Sequence, residues 1–350
     1  MHFCTVSNQR NSLRLIFPGL SILLFVLIFL NLVIGSVSIP MDVFLHFFDS
    51  DISSNYLVWH HIVIESRIPQ IVTAIFSGAA LGLAGLQMQT LFRNPLAGPS
   101  ILGISSGASL GVAIVTLGSG IGGIYLGRNL MDGIGIHLAA FLGAFLVLFI
   151  VLIAAKKVRN NASLLIIGIM VGYAASSIIG LLNFIGQKGE VHAFVIWGLG
   201  SFSNVQNNQM VLFASLILPA FVLSVLLMKP MNALLLGDAY AQNLGVNIKK
   251  TRWQLIILSG YLTAIITAYA GPIAFIGLAT PHLARMIFKS SNHIHLIPAV
   301  LLLGTSFALV CNLLAKLPFL QETLPINVIT SLFGAPLVIY LIVKRKEIGF

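Results

Sequence analysis

Of the 350 residues, 58% are hydrophobic and only 8% are charged, whereas a soluble domain carries roughly 25% charged residues. A chain so composed cannot cover itself with a water-facing surface, and lipid must be its solvent. The formal net charge of +10 does not mark a nucleic-acid surface, because the basic residues sit in short segments at the ends of apolar runs, where they carry topology.

Charge-free stretches long enough for a helix of about 20 residues to cross a bilayer recur along the chain. Runs such as Ile22 to Leu30 lack the alternation of a membrane β-strand. An all-α polytopic bundle follows. In chain order the predicted spans are 15–38, 68–91, 101–118, 134–155, 163–185, 207–228, 253–270, 273–288, 294–315 and 326–343. The first follows Arg10 and Arg14, and it is too long for the h-region of a secretory signal, about 7–15 residues. The seventh and eighth come from one apolar stretch divided at Ala270-Gly271-Pro272, a turn-type break. A short helix or re-entrant segment is expected over 191–206. Cys4 and Cys311 carry little information, and no repeat or low-complexity tract appears. The chain reads as one domain, 1–350.

Ten spans put both termini on one side, and that side then holds fifteen of the nineteen Lys and Arg residues. The remainder are Arg67, Arg128, Lys188 and Lys316. Such a bias predicts cytoplasmic termini. A nine-span chain would leave the basic C-terminus outside.

No Asp or Glu falls in the middle of a predicted span, which argues against ion-coupled transport through a buried carboxylate. Backbone carbonyls at broken helices keep that mechanism open. The sequence holds no catalytic triad, metal-ligand cluster or phosphate-binding glycine loop. Its close histidine pairs, His60-His61 and His293/His295, lie at span ends and read as interfacial residues before they read as haem or metal ligands. Gly78, Gly82 and Gly85, and then Gly103, Gly107 and Gly111, recur at helical spacing that lets backbones approach closely.

Two segments on the basic side stand out. Leu91 to Ser100, with Pro95, Gly98 and Pro99, predicts a rigid turn. The longer connection 230–250 contains a helical pattern from Asn232 to Gly245, bounded by glycines. A short amphipathic helix outside the membrane needs an apolar partner, either lipid headgroups or a groove on a soluble protein.

Several separated segments resemble the permease family of iron-siderophore, haem and cobalamin ABC importers, the type II importers. They are Arg67-Ile68-Pro69 with GAALGLAGLQMQTLFRNPLAGPSILGISSGASLGV, WGLGSF at Trp197–Phe202, ALLLGDAYAQNLGV, GPIAFIGLATPHLARMI at Gly271–Ile287, and LPINVITSLFGAPLVIYLI. The likeness runs from about residue 15 to the end, in order and spacing. It implies the type II importer permease fold with ten spans, in the bacterial inner membrane. It also implies a dimer, homodimeric or sometimes heterodimeric, with two cytoplasmic ATPase subunits and a periplasmic substrate-binding protein. The permease is then no enzyme and binds no cofactor, ATP and Mg being held by the partner ATPase. A ferric siderophore ranks first as cargo, ahead of haem and cobalamin.

By position the resemblance carries over three groups of residues. Gly237, Asp238, Ala239, Tyr240, Ala241, Leu244 and Gly245 match the segment that docks on the ATPase. Asn94 and Leu96, with Asn161 in a less similar loop, match a cytoplasmic gate. Arg67 matches an arginine that receives a glutamate of the binding protein. Gln70 stands where some relatives have a second arginine, and Glu322 precedes the last span in place of a clear basic residue, so docking through that end departs from the pattern.

Overall fold

The computed structural model describes residues 2–35, 39–40, 54–118, 133–158, 160–316 and 323–344. Every regular element among the described residues is helical. In chain order these are α1 (His2–Val33), α2 (Ser54–Ile62), α3 (Ile68–Phe92), α4 (Ile104–Leu117), α5 (Gly133–Lys157), α6 (Asn161–Ile185) and α7 (Lys188–Gly198). There follow α8 (Asn207–Leu226), α9 (Met228–Leu235), α10 (Asp238–Asn243), α11 (Ile248–Ala270), α12 (Ile276–Phe288), α13 (His293–Ala315) and α14 (Ile326–Lys344).

Local chemistry sets the ends of these helices. Side-chain oxygens of Asn160, Asn247 and Asn292 accept from the first-turn N–H groups of α6, α11 and α13, satisfying donors that have no intrahelical partner. Gln187 and Glu190 close a capping box on α7. Pro69 lies in the first turn of α3, where its missing N–H is harmless. α11 stops at Gly271, φ 77°, as the Ala270-Gly271-Pro272 break predicts.

Among the described residues, seven helices are long and apolar enough to cross a membrane: Leu15–Val33, Leu57–Phe92, Gly135–Lys157, Ala162–Ile185, Asn207–Leu226, Ile248–Ala270 and His293–Ala315. Each of the ten predicted spans finds a helix, but two are shorter than expected. α4 has 14 residues and α12 has 13, about 20 Å of rise each against a hydrocarbon core of about 30 Å. α4 is short because Pro99–Leu102 forms a 3-10 turn that ends at Gly103, φ 75°. α12 is short because residues 272–275 are not helical, and Phe275 has φ 66°. α14, with 19 residues, covers its predicted span 326–343 in full. The second span departs the other way. A π turn at Val63–Arg67 joins α2 to α3, giving one continuous span of 36 residues, Leu57–Phe92. The expected short element at 191–206 is α7 followed by a 3-10 turn at Phe202–Asn204.

That long second helix is the centre of the bundle. Its span is 83% buried, against 11% for Leu15–Val33 on the periphery. α11, α12 and α13 pack directly on it. The packing is backbone to backbone. A Cβ on Gly78 would lie 2.2 Å from the Gly304 carbonyl oxygen, and one on Gly85 would lie 1.7 Å from that of Gly277. A second seam brings Gly107 and Gly111 of α4 against Gly143 and Ala139 of α5. Between apolar helices in lipid, this contact supplies dispersion energy that hydrophobic burial cannot.

Polar ties are few and buried. Asn312 Nδ2 donates to Asn31 Oδ1 at 2.9 Å, and Asn31 Nδ2 donates to the carbonyls of Leu27 and Leu309. This pair pins peripheral α1 to α13. Asn312→Leu should lower the stability of the detergent-solubilised protein by about 1 kcal/mol, read as a lower thermal midpoint with α1 loosened first in hydrogen exchange.

Candidate functional site: the basic end of the bundle

At one end of the bundle the C-terminal ends of α3 and α12 meet the N-terminal ends of α11 and α13, together with α9 and α10. Side-chain hydrogen bonds and a cation–π contact hold them. Gln89 on α3 accepts from Arg285 of α12 and donates to the Leu278 carbonyl at 3.2 Å. The His293 ring bridges Asn232 Oδ1 at 2.7 Å and Thr90 Oγ1 at 2.8 Å, and Asn232 Nδ2 donates to Asn292 Oδ1. Lys156 Nζ lies 4.9 Å from the centre of the Trp253 ring. Lys229, Lys249, Lys250 and Lys289 share this end through α9, α11 and α12. His293 is thus a buried structural residue joining three elements. Among the described residues no group of three or more His, Cys, Asp or Glu side chains could hold a metal ion.

The segment expected to form one short helix over 232–245 forms two. Gly237, φ 109°, separates α9 from α10, and Gly245, φ 81°, follows the end of α10. Only glycine adopts such angles without strain, so the split was set by the same glycines that bound the pattern. In α10 Ala241 is fully buried, whereas Tyr240 is 54% and Leu244 58% exposed. Leu236, before Gly237, is exposed as well. Ala239 faces outward with Tyr240. The outcome is a small apolar crest outside the bundle. Beside it runs a groove of about 520 Å³, lined by Lys229, Ala233, Leu244, Val246, Lys250 and Gln254 among others.

α3 ends at Arg93, a non-glycine residue with φ 47° whose N–H bonds back to Gln89 and Thr90. Asn94 follows, half-buried, with its N–H on the Gln89 carbonyl and its Oδ1 accepting from the Leu96 N–H at 2.9 Å. Ala97 N–H closes onto the Asn94 carbonyl. The rigid turn predicted at 91–100 is therefore an Asx turn, and it holds Leu96 out with 42% exposure. Asn161 is the first residue of α6, at whose end Asn160 makes the cap; the Asn161 side chain lies outside the described residues.

Contacts not legible in the sequence join the loop to the crest. The Arg93 guanidinium pairs with Asp238 and donates through Nε to the Leu234 carbonyl at 3.0 Å. Arg252 of α11 takes the other oxygen of Asp238. Residues 93 and 238 are 145 positions apart, and no local pattern could have joined them.

At the opposite end Arg67 is 4% exposed. Its Nη1 donates to the Ile34 carbonyl at 2.8 Å, and Gly35 packs so closely that a Cβ there would collide with the guanidinium. Arg67 thus clamps the end of α1 to the π turn, turned inward. Glu322 lies outside the described residues. Gln70 Nε2 donates to Ser66 at 3.2 Å.

The bundle thus combines a long, buried central helix with an exposed apolar crest at its basic end. The profile of the FecCD transport family matches residues 23–344, and the chain belongs to that family, the permease subunits of type II ABC importers. It is similar to the vitamin B12 import system permease protein BtuC of Klebsiella pneumoniae subsp. pneumoniae, 32% identical over 98% of this chain and 97% of that one. It is equally similar to the hemin transport system permease protein HmuU of Yersinia pestis, 33% identical over 97% and 98%. Among solved structures, a metal-chelate type ABC transporter in an inward-facing conformation superposes with a TM-score of 0.81. That chain is 29% identical, over 94% of this chain and 99% of its own length.

Proposed function

We propose that this chain is the membrane-spanning half of an ATP-driven importer that carries a ferric siderophore across the bacterial inner membrane. Two copies form the corridor, two cytoplasmic ATPase subunits dock on Gly237 to Gly245, and a periplasmic binding protein delivers the cargo. ATP and Mg are held by the ATPase, and the permease supplies no cofactor or catalytic group. Both termini are cytoplasmic, which the excess of Lys and Arg at the α10 end supports.

The observation that carries this reading is the crest. Tyr240 in the six-residue helix and Leu244 at its C-cap project outward between two glycines of positive φ, and together with exposed Leu236 they offer an apolar surface suited to a partner. Asn94 and Leu96 act as the cytoplasmic gate, where the rigid Asx turn holds a single leucine out, and Asn161 is its second element. Gating by short side chains suits a bulky chelate, which must leave the corridor without tight coordination. The binding protein docks at Arg67, which requires the residues over its guanidinium to move on engagement.

Cargo is tested by uptake into proteoliposomes holding the permease and its ATPase, with the binding protein outside. Labelled ferric siderophore, haem and cobalamin are offered in parallel. Accumulation of the ferric siderophore alone is the expected result; accumulation of haem or cobalamin instead overturns the siderophore assignment and keeps the importer.

A further inference from the structure

We infer that Asp238 is the joint between the ATPase-docking helix and the gate, acting through Arg93 as a positioning residue; the inference rests on the importer reading above. α10 is flanked by glycines at 237 and 245, both with positive φ, which set it off from α9 and α11 as a separate short element. What its side chains hold therefore directs how its displacement reaches the rest of the bundle. Ala241 seats it against the bundle by packing. Asp238 gives it directed polar ties, one carboxylate oxygen to Arg93 and the other to Arg252.

The two arginines differ in what they are attached to. Arg252 belongs to the first turns of α11, whose remaining length is buried in the bundle, so that arm is an anchor. Arg93 is the residue at which α3 ends, and it precedes Asn94 directly. Its αL backbone turns the chain, and its guanidinium spans from the Leu234 carbonyl to Asp238. The Asx turn makes Asn94, Leu96 and Ala97 a rigid unit. A pull on Arg93 therefore moves the gate as one body, with no flexible linker in between. Asp238 and both arginines are partly solvent-exposed, with 43%, 40% and 25% of the side chains accessible. Ion pairs so screened by water are weak and readily remade, which suits a contact that must exchange partners in each cycle. Two basic residues competing for one carboxylate also make a natural two-position switch, with Asp238 shared in one arrangement and released from Arg93 in the other.

The test uses the assembled transporter in membrane vesicles and needs no cargo. Ser100 is exposed beside the gate loop, and Ser100→Cys in a Cys4→Ser background gives a reporter for maleimide. Labelling rates are compared without nucleotide and after trapping with ATP and vanadate. The unmutated joint should show a nucleotide-dependent rate. With Arg93→Gln, which leaves the docking segment unchanged, the ATPase should still co-purify and hydrolyse ATP, while the two labelling rates become equal. Arg93→Lys should restore part of the difference. Arg93→Gln combined with Asp238→Asn should be no worse than either alone, as members of one linkage are.

Retention of the full nucleotide-dependent difference in Arg93→Gln overturns the inference and leaves the importer reading standing. Loss of ATPase binding in that variant also overturns it, making Arg93 part of the docking surface. If the chain with Asp238 intact neither binds an ATPase nor responds to nucleotide, the importer reading fails and the inference fails with it.

Discussion

Replacing Gly85 by valine is expected to remove nearly all folded protein from the membrane. The Cβ alone would stand 1.7 Å from the Gly277 carbonyl oxygen, and the next closest atoms are also backbone. No flexible side chain can yield there, so α3 and α12 must separate. Overpacking of a tight core costs about 1–3 kcal/mol even where side chains can shift. Here the separation also breaks the neighbouring seam at Gly78 and Gly304 and tilts Gln89 away from Arg285 and Leu278. The loss should therefore exceed that range, and the monodisperse peak in size-exclusion chromatography should fall at least tenfold. Gly180→Val is the control, because nothing lies within 4 Å of a Cβ at that position. It should give protein in normal yield.

The second large effect is at the crest. Tyr240→Asp together with Leu244→Asp should leave the fold intact and abolish assembly with the ATPase. Both side chains are more than half exposed in the isolated chain, so the thermal midpoint should hold. In the complex each would bury an apolar side chain, a contribution of about 1.5–3 kcal/mol when complete, and a carboxylate placed there adds a desolvation cost. A weakening of at least about a hundredfold in ATPase affinity is expected. It is measurable by titrating the ATPase onto permease in nanodiscs. Unchanged affinity would move the docking surface elsewhere on the basic end.

What the sequence revealed, and what it withheld, follows from the range of the physics involved. Helices in lipid announce themselves by composition, so all ten were found in place. The Ala270-Gly271-Pro272 break was legible because proline and glycine act on their own backbone. The shortness of α4 and α12 was not. It depends on Gly103 and Phe275 taking positive φ angles, and Phe275 does so only because the folded bundle imposes it. Glycine spacing told which faces pack, but not that Gly103 both ends a turn and lies against Gly168 and Gly172 of α6, since periodicity cannot separate the two roles. The docking segment was legible as a short pattern between glycines, though its division at Gly237 was not. The site's polar wiring was the least visible. Arg93 with Asp238, Thr90 with His293 and Asn31 with Asn312 are pairs more than a hundred residues apart, and each partner alone looks like an ordinary loop or span-end residue. Arg67 shows the reverse case. A basic residue at a span end suggests exposure, but the fold turns it inward onto the Ile34 carbonyl.

The energy source is the most direct test of the central claim. The permease would be reconstituted with its ATPase or with an ATPase variant unable to hydrolyse ATP, and given binding protein loaded with labelled ferric siderophore, haem or cobalamin. Uptake that needs the active ATPase and persists when proton and sodium gradients are collapsed is the predicted result. Uptake that proceeds with the inactive ATPase and stops on addition of an ionophore would contradict it, and would make this chain an ion-coupled carrier.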